Sequence, residues 1–275
     1  MNYKNRITLG LIFSGIILLF FGFKSSQEPY RTLPNTDFQK GETLTYTAGY
    51  SFVDAGEAVV HLDENLHKVN DRMCYKVTVD AKTIGVFGWT TKVHDIWESY
   101  FDPKAIMPMR FHRDISENRY RLVETTDFFH DEKKAIVSSY KKDSTKVKVK
   151  EYPIHKYCQD IISGYYLLRT LEYESMSKGD TIKMKAFFED KEYDFNMLYV
   201  GKDRIRTKFG QVDAFAISPI MPPNSMFSGE NAILFWVSDD ANRVPLKVSA
   251  KLLIGAINLR LVDYKGLKEK IGKKK

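Results

Sequence analysis

The stretch Leu234-Phe235-Trp236-Val237-Ser238-Asp239-Asp240, followed by Val244-Pro245-Leu246 and an alternating run to Ile254, decides the fold. Val244, Leu246, Val248, Ala250, Leu252 and Ile254 recur at period two, while Lys247, Ser249 and Lys251 fall mostly on the other side. Successive side chains of a strand point to opposite faces, so this alternation predicts one buried and one wet face of an antiparallel sheet. The polar residues between the two runs read as a tight turn. Gly255 permits a sharp bend, and Ile257, Leu259 and Leu261 carry the period into a last strand.

The same grammar runs upstream. Leu44, Tyr46, Ala48 and Tyr50 make a first strand, Asp54-Ala55-Gly56 a turn, and Glu57 to Asp63 a returning strand. Met73 to Val79 and Val93 to Phe101 follow, separated by the apolar, glycine-bearing connection Thr83 to Trp89. From Met107 to Lys150 the chain reads as hairpins turning at Ser116-Glu117-Asn118, at His130 to Lys133 and at Lys141 to Ser144. Beyond the helix described next, strands are expected over Ile182 to Phe188, Tyr193 to Tyr199, Asp203 to Lys208 and Val212 to Ser218. The loop Pro219 to Asn231 then leads into the opening stretch.

Asp160 to Tyr173 breaks the β pattern. Ile161, Ile162, Tyr165, Leu168 and Leu171 approach helical spacing, with Asp160 as N-cap. Roughly a dozen strands and one helix predict a mostly β protein: a large, strongly curved antiparallel sheet or open β-barrel with one helix packed on it.

Of the 275 residues, 43% are hydrophobic and 28% charged, an ordinary globular balance. The formal charge of +7 is concentrated at the ends, in Lys4 and Arg6 and in a Lys-rich tail from Lys265, which leaves the body near neutral. A duplex-binding face needs Lys and Arg gathered on one surface, so no nucleic-acid partner is expected. The tail itself reads as a frayed, solubilising terminus. Met1 to Arg6 is short and basic, and Ile7 to Phe23 is apolar without a charge, the layout of a signal peptide or signal-anchor. The expected division is residues 1–24 as that segment, 25–40 as a linker, 41–264 as a single β domain and 265–275 as a basic tail. Positive residues stay cytoplasmic, so the body is expected in the periplasm or cell envelope, either released or anchored in the inner membrane by residues 7–23. No cysteine follows the segment, which argues against a lipid-anchored lipoprotein.

Gly41-Glu42-x-Leu44-x-Tyr46, followed by Ala55-Gly56-Glu57-Ala58, resembles the start of the bacterial "domain of unknown function 3108" family. Gly210 with Pro219, Trp236-Val237-Ser238-Asp239-Asp240, the Pro245 strand and Ile254-Gly255 extend the likeness over about Phe38 to Tyr264. The resemblance implies an exported bacterial envelope protein. The family carries no established activity and hands over no catalytic residue.

The residues themselves name none either. Asp239 and Asp240 are adjacent, point apart on a strand, and suit a turn that uses Asp for its own backbone hydrogen bonds. His94, Asp95 and Glu98 form the densest titratable group, but only His94 and Glu98 share a strand face, which favours a structural or solvated role over a metal site. No nucleophile elbow, Ser-x-x-Lys motif or phosphate-binding glycine loop occurs in a usable context, and no metal or cofactor is expected. Cys74 and Cys158 lack metal spacing. They would pair only if the fold brought their Cα atoms within about 7 Å, and otherwise serve as small buried groups.

The informative excess is aromatic: 18 Phe, 16 Tyr and 3 Trp. Most should fill the core. A curved sheet can also line an apolar cavity with them, and Trp97, Tyr100, Phe188, Phe195 and Trp236 are the candidate ligand-binding residues on that reading. The sequence therefore predicts a non-enzymatic envelope protein binding a lipid-like ligand. The alternatives are a structural or assembly partner contacting envelope proteins through sheet edges or the Pro219 to Asn231 loop, and, more distantly, a hydrolase using His94, Glu98 or Asp239.

Overall fold

Antiparallel ladders run through a computed structural model that describes residues 30–34, 37–50, 53–141, 146–220 and 231–273. The strands in chain order are β1 (Thr43–Tyr50), β2 (Val53–Leu62), β3 (His67–Val69), β4 (Arg72–Thr83), β5 (His94–Phe101), β6 (Pro108–Glu117), β7 (Tyr120–Phe129), β8 (Lys134–Lys141) and β9 (Lys148–Pro153). After the helix Ile161–Arg169 come β10 (Thr181–Ile182), β11 (Lys185–Phe188), β12 (Lys191–Asp194), β13 (Met197–Thr207), β14 (Gly210–Pro219), β15 (Ile233–Ser238), β16 (Pro245–Lys251) and β17 (Ala256–Lys265). Fifteen strands form one sheet in the order β10-β13-β14-β15-β16-β17-β1-β2-β4-β5-β6-β7-β8-β9, with β3 hydrogen-bonded to β4 off this path and β11–β12 a separate ribbon. The sheet is open, as its path has two ends. The outermost strand β9, Lys-Val-Lys-Glu-Tyr-Pro, blunts one end with exposed charge and a proline.

The inner face is set by cross-strand pairing. Leu44, Val60, Val79, Trp97, Arg113 and Glu124 are successive partners across β1, β2, β4, β5, β6 and β7. The helix lies against this face, burying Ile162, Tyr166, Leu168 and Arg169. Its start is held by the Asp160 side chain, whose Oδ1 accepts from the backbone N–H groups of Ile162 (2.8 Å) and Ser163 (2.7 Å). The Ser163 hydroxyl reciprocates at 3.0 Å from the Asp160 N–H, which completes a capping box. Its end is held by Arg169, fully buried with Glu42.

Residues 33–275 form one compact unit, so part of the expected linker belongs to the body. Phe38 is buried with its ring 4.7 Å from Tyr166, and the Leu33 N–H donates to Lys104 O. The C-terminal tail is likewise tied down rather than frayed as far as Gly272. Ile271 is buried, Asn242 exchanges hydrogen bonds with the Glu269 backbone, and the Gly272 N–H donates to Asp240 Oδ2 at 2.9 Å. The signal or anchor segment 1–24 lies outside the described residues. Among those described, no helix is long and apolar enough to cross a membrane.

Several boundaries differ from the sequence reading for local reasons. The first hairpin turns at Tyr50↔Val53, so Asp54, Ala55 and Gly56 lie inside β2 instead of forming the turn. A register shift after Ala48 absorbs the difference, and Gly49 is required there because a Cβ would sit 2.5 Å from Val53 O. Asn70 and Asp71, both at positive φ, close the short hairpin β3–β4, which the apolar pattern did not reveal. The helix stops at Arg169, and Tyr173–Ser175 forms a separate 3-10 turn. The expected hairpin of Ile182 to Phe188 with Tyr193 to Tyr199 splits. Its base joins the main sheet as β10–β13, and its tip becomes the β11–β12 ribbon.

The buried Glu42–Arg169 pair should dominate stability at the helix end. Breaking it from one side leaves an uncompensated buried charge, so Glu42→Gln or Arg169→Met is expected to cost about 3–5 kcal/mol. The double variant Glu42→Gln/Arg169→Met should cost much less than the sum, as read by urea denaturation in a double-mutant cycle. Additive losses would show that the two groups act separately.

Candidate functional site

Three places on the molecule gather polar or aromatic chemistry. The first is the buried node around Glu42. Its carboxylate takes a bidentate contact from Arg169 and a hydrogen bond from the Tyr166 hydroxyl at 3.0 Å. Arg169 Nη2 also donates to the carbonyls of Asp37 (3.2 Å) and Asn242 (2.9 Å). Burial alone would lower the Arg169 pKa; the adjacent Glu42 carboxylate overrides that and holds the guanidinium charged. Beside it the Tyr46 hydroxyl donates to Pro245 O at 2.9 Å and meets the Tyr165 hydroxyl at 2.8 Å. Burial pushes Tyr165 up to about 12, so both phenols stay protonated at neutral pH. The node is a sealed structural joint.

The second place is an open cleft of about 700 Å³ lined by Glu174, Lys202, Asp203, Arg204, Asp213, Ala214 and Asp239. Its charges are mutually satisfied. Lys202 pairs with Asp239 at 2.8 Å, Arg204 with Asp213, and Arg243 with Glu174 and, at 3.6 Å, with Asp239. The Trp236 indole N–H donates to Asp203 at 2.8 Å. A ligand entering here would have to displace these ion pairs, and the lining holds no Ser, Thr, Cys or His to serve as nucleophile or shuttle.

The third place is the inner face beneath the β11–β12 ribbon. Trp97 lies between Phe111 (ring centroids 6.4 Å) and Phe188 (6.3 Å). The Arg113 guanidinium sits 5.3 Å from the Phe188 ring and pairs with Glu124 at 2.8 Å. The Trp97 indole N–H is buried without a hydrogen-bond partner among the described residues. On the same face Ala58, Val79 and Leu259 pack against the core yet remain partly exposed, giving an apolar floor that the helix and ribbon cover only in part.

The five aromatic candidates do not converge. Trp97 and Phe188 meet on this floor. Tyr100, an odd number of residues from Trp97, faces the other way and hydrogen-bonds Glu98 at 3.1 Å beside Lys76. Trp236 likewise points away from Phe235 and Val237 and lies under Lys247, 5.1 Å from its ring. Phe195 is exposed at the ribbon base. Arg113 and Glu124, which complete the row through Trp97, were missed; their period-two placement opposite an aromatic was the available signal.

The acid and histidine candidates take structural roles. Asp240 Oδ1 accepts from the Ser238 hydroxyl (2.8 Å) and the Asn242 N–H (2.9 Å), which makes it the organiser of the β15–β16 turn. His94 reaches Asp80 at 3.2 Å, Glu98 pairs with Lys76 at 2.7 Å, and Asp95 is turned inward to accept from the Ser116 N–H. Among the described residues no group of His, Cys, Asp and Glu is placed to hold a metal ion. Cys74 and Cys158 are buried free thiols, and burial raises both pKa values, Cys74 to about 12.

The architecture is that of an open, barrel-like sheet with an interior helix, and comparison with known proteins agrees. A solved β-barrel-like protein of another domain of unknown function, DUF1849, from Brucella abortus is 9% identical and superposes with a TM-score of 0.51 over 86% of this chain and 99% of that one. An exported-type protein of YmcC-like fold from Bacteroides fragilis matches over the same share of this chain with a TM-score of only 0.35, too low to bear on the reading. No curated protein matches. The family model described as "Protein of unknown function (DUF3108)" matches residues 45–262, and the chain belongs to that family.

One titration in the helix cap is open to test. Asp160 is fully buried, and burial lifts its pKa from 3.8 to about 6 against the pull of its hydrogen bonds from Ser99, Ser163 and Ile162. The folded state therefore holds a proton that the unfolded chain has released between about pH 4 and 6, so this group's contribution to stability falls as pH rises through that window. Asp160→Asn keeps the cap acceptor and removes the titration. It should flatten the melting temperature between pH 4 and 6 and match or exceed the parent at pH 7. A parent-like slope in the variant would refute the assignment.

Proposed function

We propose that the chain is a non-enzymatic protein of the bacterial cell envelope, periplasmic or held at the inner membrane by residues 7–23, whose inner face binds an amphiphilic, lipid-like molecule. The observation that supports it is the partly covered apolar floor with one unspent donor at its centre, the Trp97 N–H. A purely structural core would close over such a floor. A buried N–H without a partner costs on the order of 1–3 kcal/mol, a cost that a ligand carbonyl or hydroxyl would relieve. The neighbouring Arg113–Glu124 pair gives the floor a polar margin, so a molecule with an acyl body and an ester or hydroxyl head fits better than a hydrocarbon.

Native mass spectrometry of full-length protein released gently from the envelope fraction, followed by solvent extraction, tests this. A stoichiometric extra mass that extracts as lipid is the expected result. Trp97→Phe should leave the unliganded protein as stable or slightly more stable, and should lower retention of that mass several-fold. A bare mass with no uptake of added lipid would instead favour a structural or assembly partner in the envelope.

A further inference from the structure

The strand pairing puts several connections at one end of the sheet. The registers Lys251↔Ala256, Tyr50↔Val53, Tyr50↔Ile257, Thr83↔Gly56, Lys82↔His94 and Glu117↔Tyr120 bring the β16–β17, β1–β2, β4–β5 and β6–β7 connections side by side. The Glu42–Arg169 node and the Asp240 turn lie at the opposite end, where the chain enters the body at Leu33.

The connections at this rim display large apolar side chains. Trp89 is 84% exposed, Ile254 81%, Leu253 76% and Val86 70%, and Val53 and Tyr120 are exposed beside them. Trp89 stands on the helical turn Phe87–Thr90, none of whose residues is buried. The loops are fixed to one another: the Tyr50 hydroxyl donates to Ile254 O at 2.8 Å, and the Asn118 N–H donates to Lys92 O at 2.7 Å. Scattered surface hydrophobes need no explanation, but a cluster on adjoining loop tips marks an interaction surface.

Charge identifies the partner. The rim acids Asp54 and Glu57 are engaged by Arg260 and Lys82. Lys92, Arg119 and Lys251 are exposed and have no ionic partner among the described residues, against which stands Glu117. Protruding Trp, Ile and Leu tips flanked by unspent cations match the interface of an anionic bilayer, where apolar groups enter the acyl boundary and Lys and Arg meet phosphate.

We infer that this rim docks on an anionic phospholipid surface, with Trp89, Leu253 and Ile254 inserted and Lys92, Arg119 and Lys251 on the headgroups. The inference does not depend on what the inner face carries. It concerns the end of the body remote from Leu33.

The test uses full-length protein and vesicles of phosphatidylcholine with or without 30% phosphatidylglycerol, carrying brominated acyl chains that quench nearby tryptophan. Quenching is expected on the anionic vesicles, several-fold weaker on neutral ones, and lost in Trp89→Phe, which assigns the signal among the three tryptophans. Leu253→Ser/Ile254→Ser should abolish it with an unchanged circular dichroism spectrum. Lys92→Glu/Lys251→Glu should weaken vesicle affinity of the rim roughly tenfold or more. Every variant keeps residues 1–24, so the differences report the rim alone. Quenching that survives the double serine variant would overturn the proposal. So would a concentration-dependent dimer in sedimentation that the same variant dissociates, which would assign the rim to a second copy of the chain.

Discussion

The buried pair of Glu42 and Arg169 is the constraint on which the rest of the structure depends. Two charges taken out of water are worth having only if they pair closely and most of their remaining donors and acceptors find partners. Here both Nη groups are spent on the Glu42 carboxylate and on the carbonyls of Asp37 and Asn242, only Nε is left without a hydrogen-bond partner among the described residues, and the guanidinium faces lie 5.2 Å from the rings of Phe38 and Tyr166. Those contacts come from the chain ahead of β1, the helix and the β15–β16 turn, segments far apart in sequence. An apolar cluster could fill the same volume in several ways. A bidentate pair with four directed partners accepts only one register of helix against sheet.

The opposite end of the helix is held by a different device. Asp160 caps it, and the Ser99 hydroxyl on β5 donates to Asp160 Oδ2 at 2.6 Å. The helix is thus hydrogen-bonded at its start to β5 and at its end to the segment that leads into β1 and to the β15–β16 turn. That rigidity lets the inner face remain partly uncovered. If apolar packing alone located the helix, it would slide to cover Ala58, Val79 and Leu259; fixed polar joints prevent it. An uncovered apolar floor in an open sheet needs such joints, because the hydrophobic effect favours collapse onto exposed apolar surface.

Much of this was legible in the sequence, and the failures are instructive. The hairpins were readable because period-two alternation survives wherever one face is wet, as in β6, where Met109, Phe111, Arg113 and Ile115 are buried and the residues between them are not. The helix and its Asp160 cap were readable from spacing and a capping residue. Asp240 was readable as a turn residue because its Ser238 and Asn242 partners are two positions away, whereas the role of Glu42 was not, because its Tyr166 and Arg169 partners lie more than a hundred residues on. Arg169, buried and central, carried no local signal at all, since an arginine near a helix end reads as a solvated cation that suits the dipole. The ribbon β11–β12 was missed as a separate element because its side-chain pattern is that of any hairpin. What detaches it is the Met184–Asn196 irregularity, where the Asn196 side chain accepts from the Met184 backbone at 3.3 Å.

The β16 run shows most sharply what periodicity encodes and what it omits. Val244 and Leu246 are fully buried, Val248 and Ala250 are half-covered, and Ile254 stands in solvent, although all fall at the same period. Alternation specifies which face a residue is on; it says nothing of how far along the strand that face stays covered. At the pinned end the helix lies over the inner face, and an apolar residue there is core. At the rim nothing among the described residues lies over it, and the same residue type becomes a displayed surface. One uninterrupted apolar pattern therefore serves two purposes, and the boundary between them falls where the helix ends rather than where the sequence changes character.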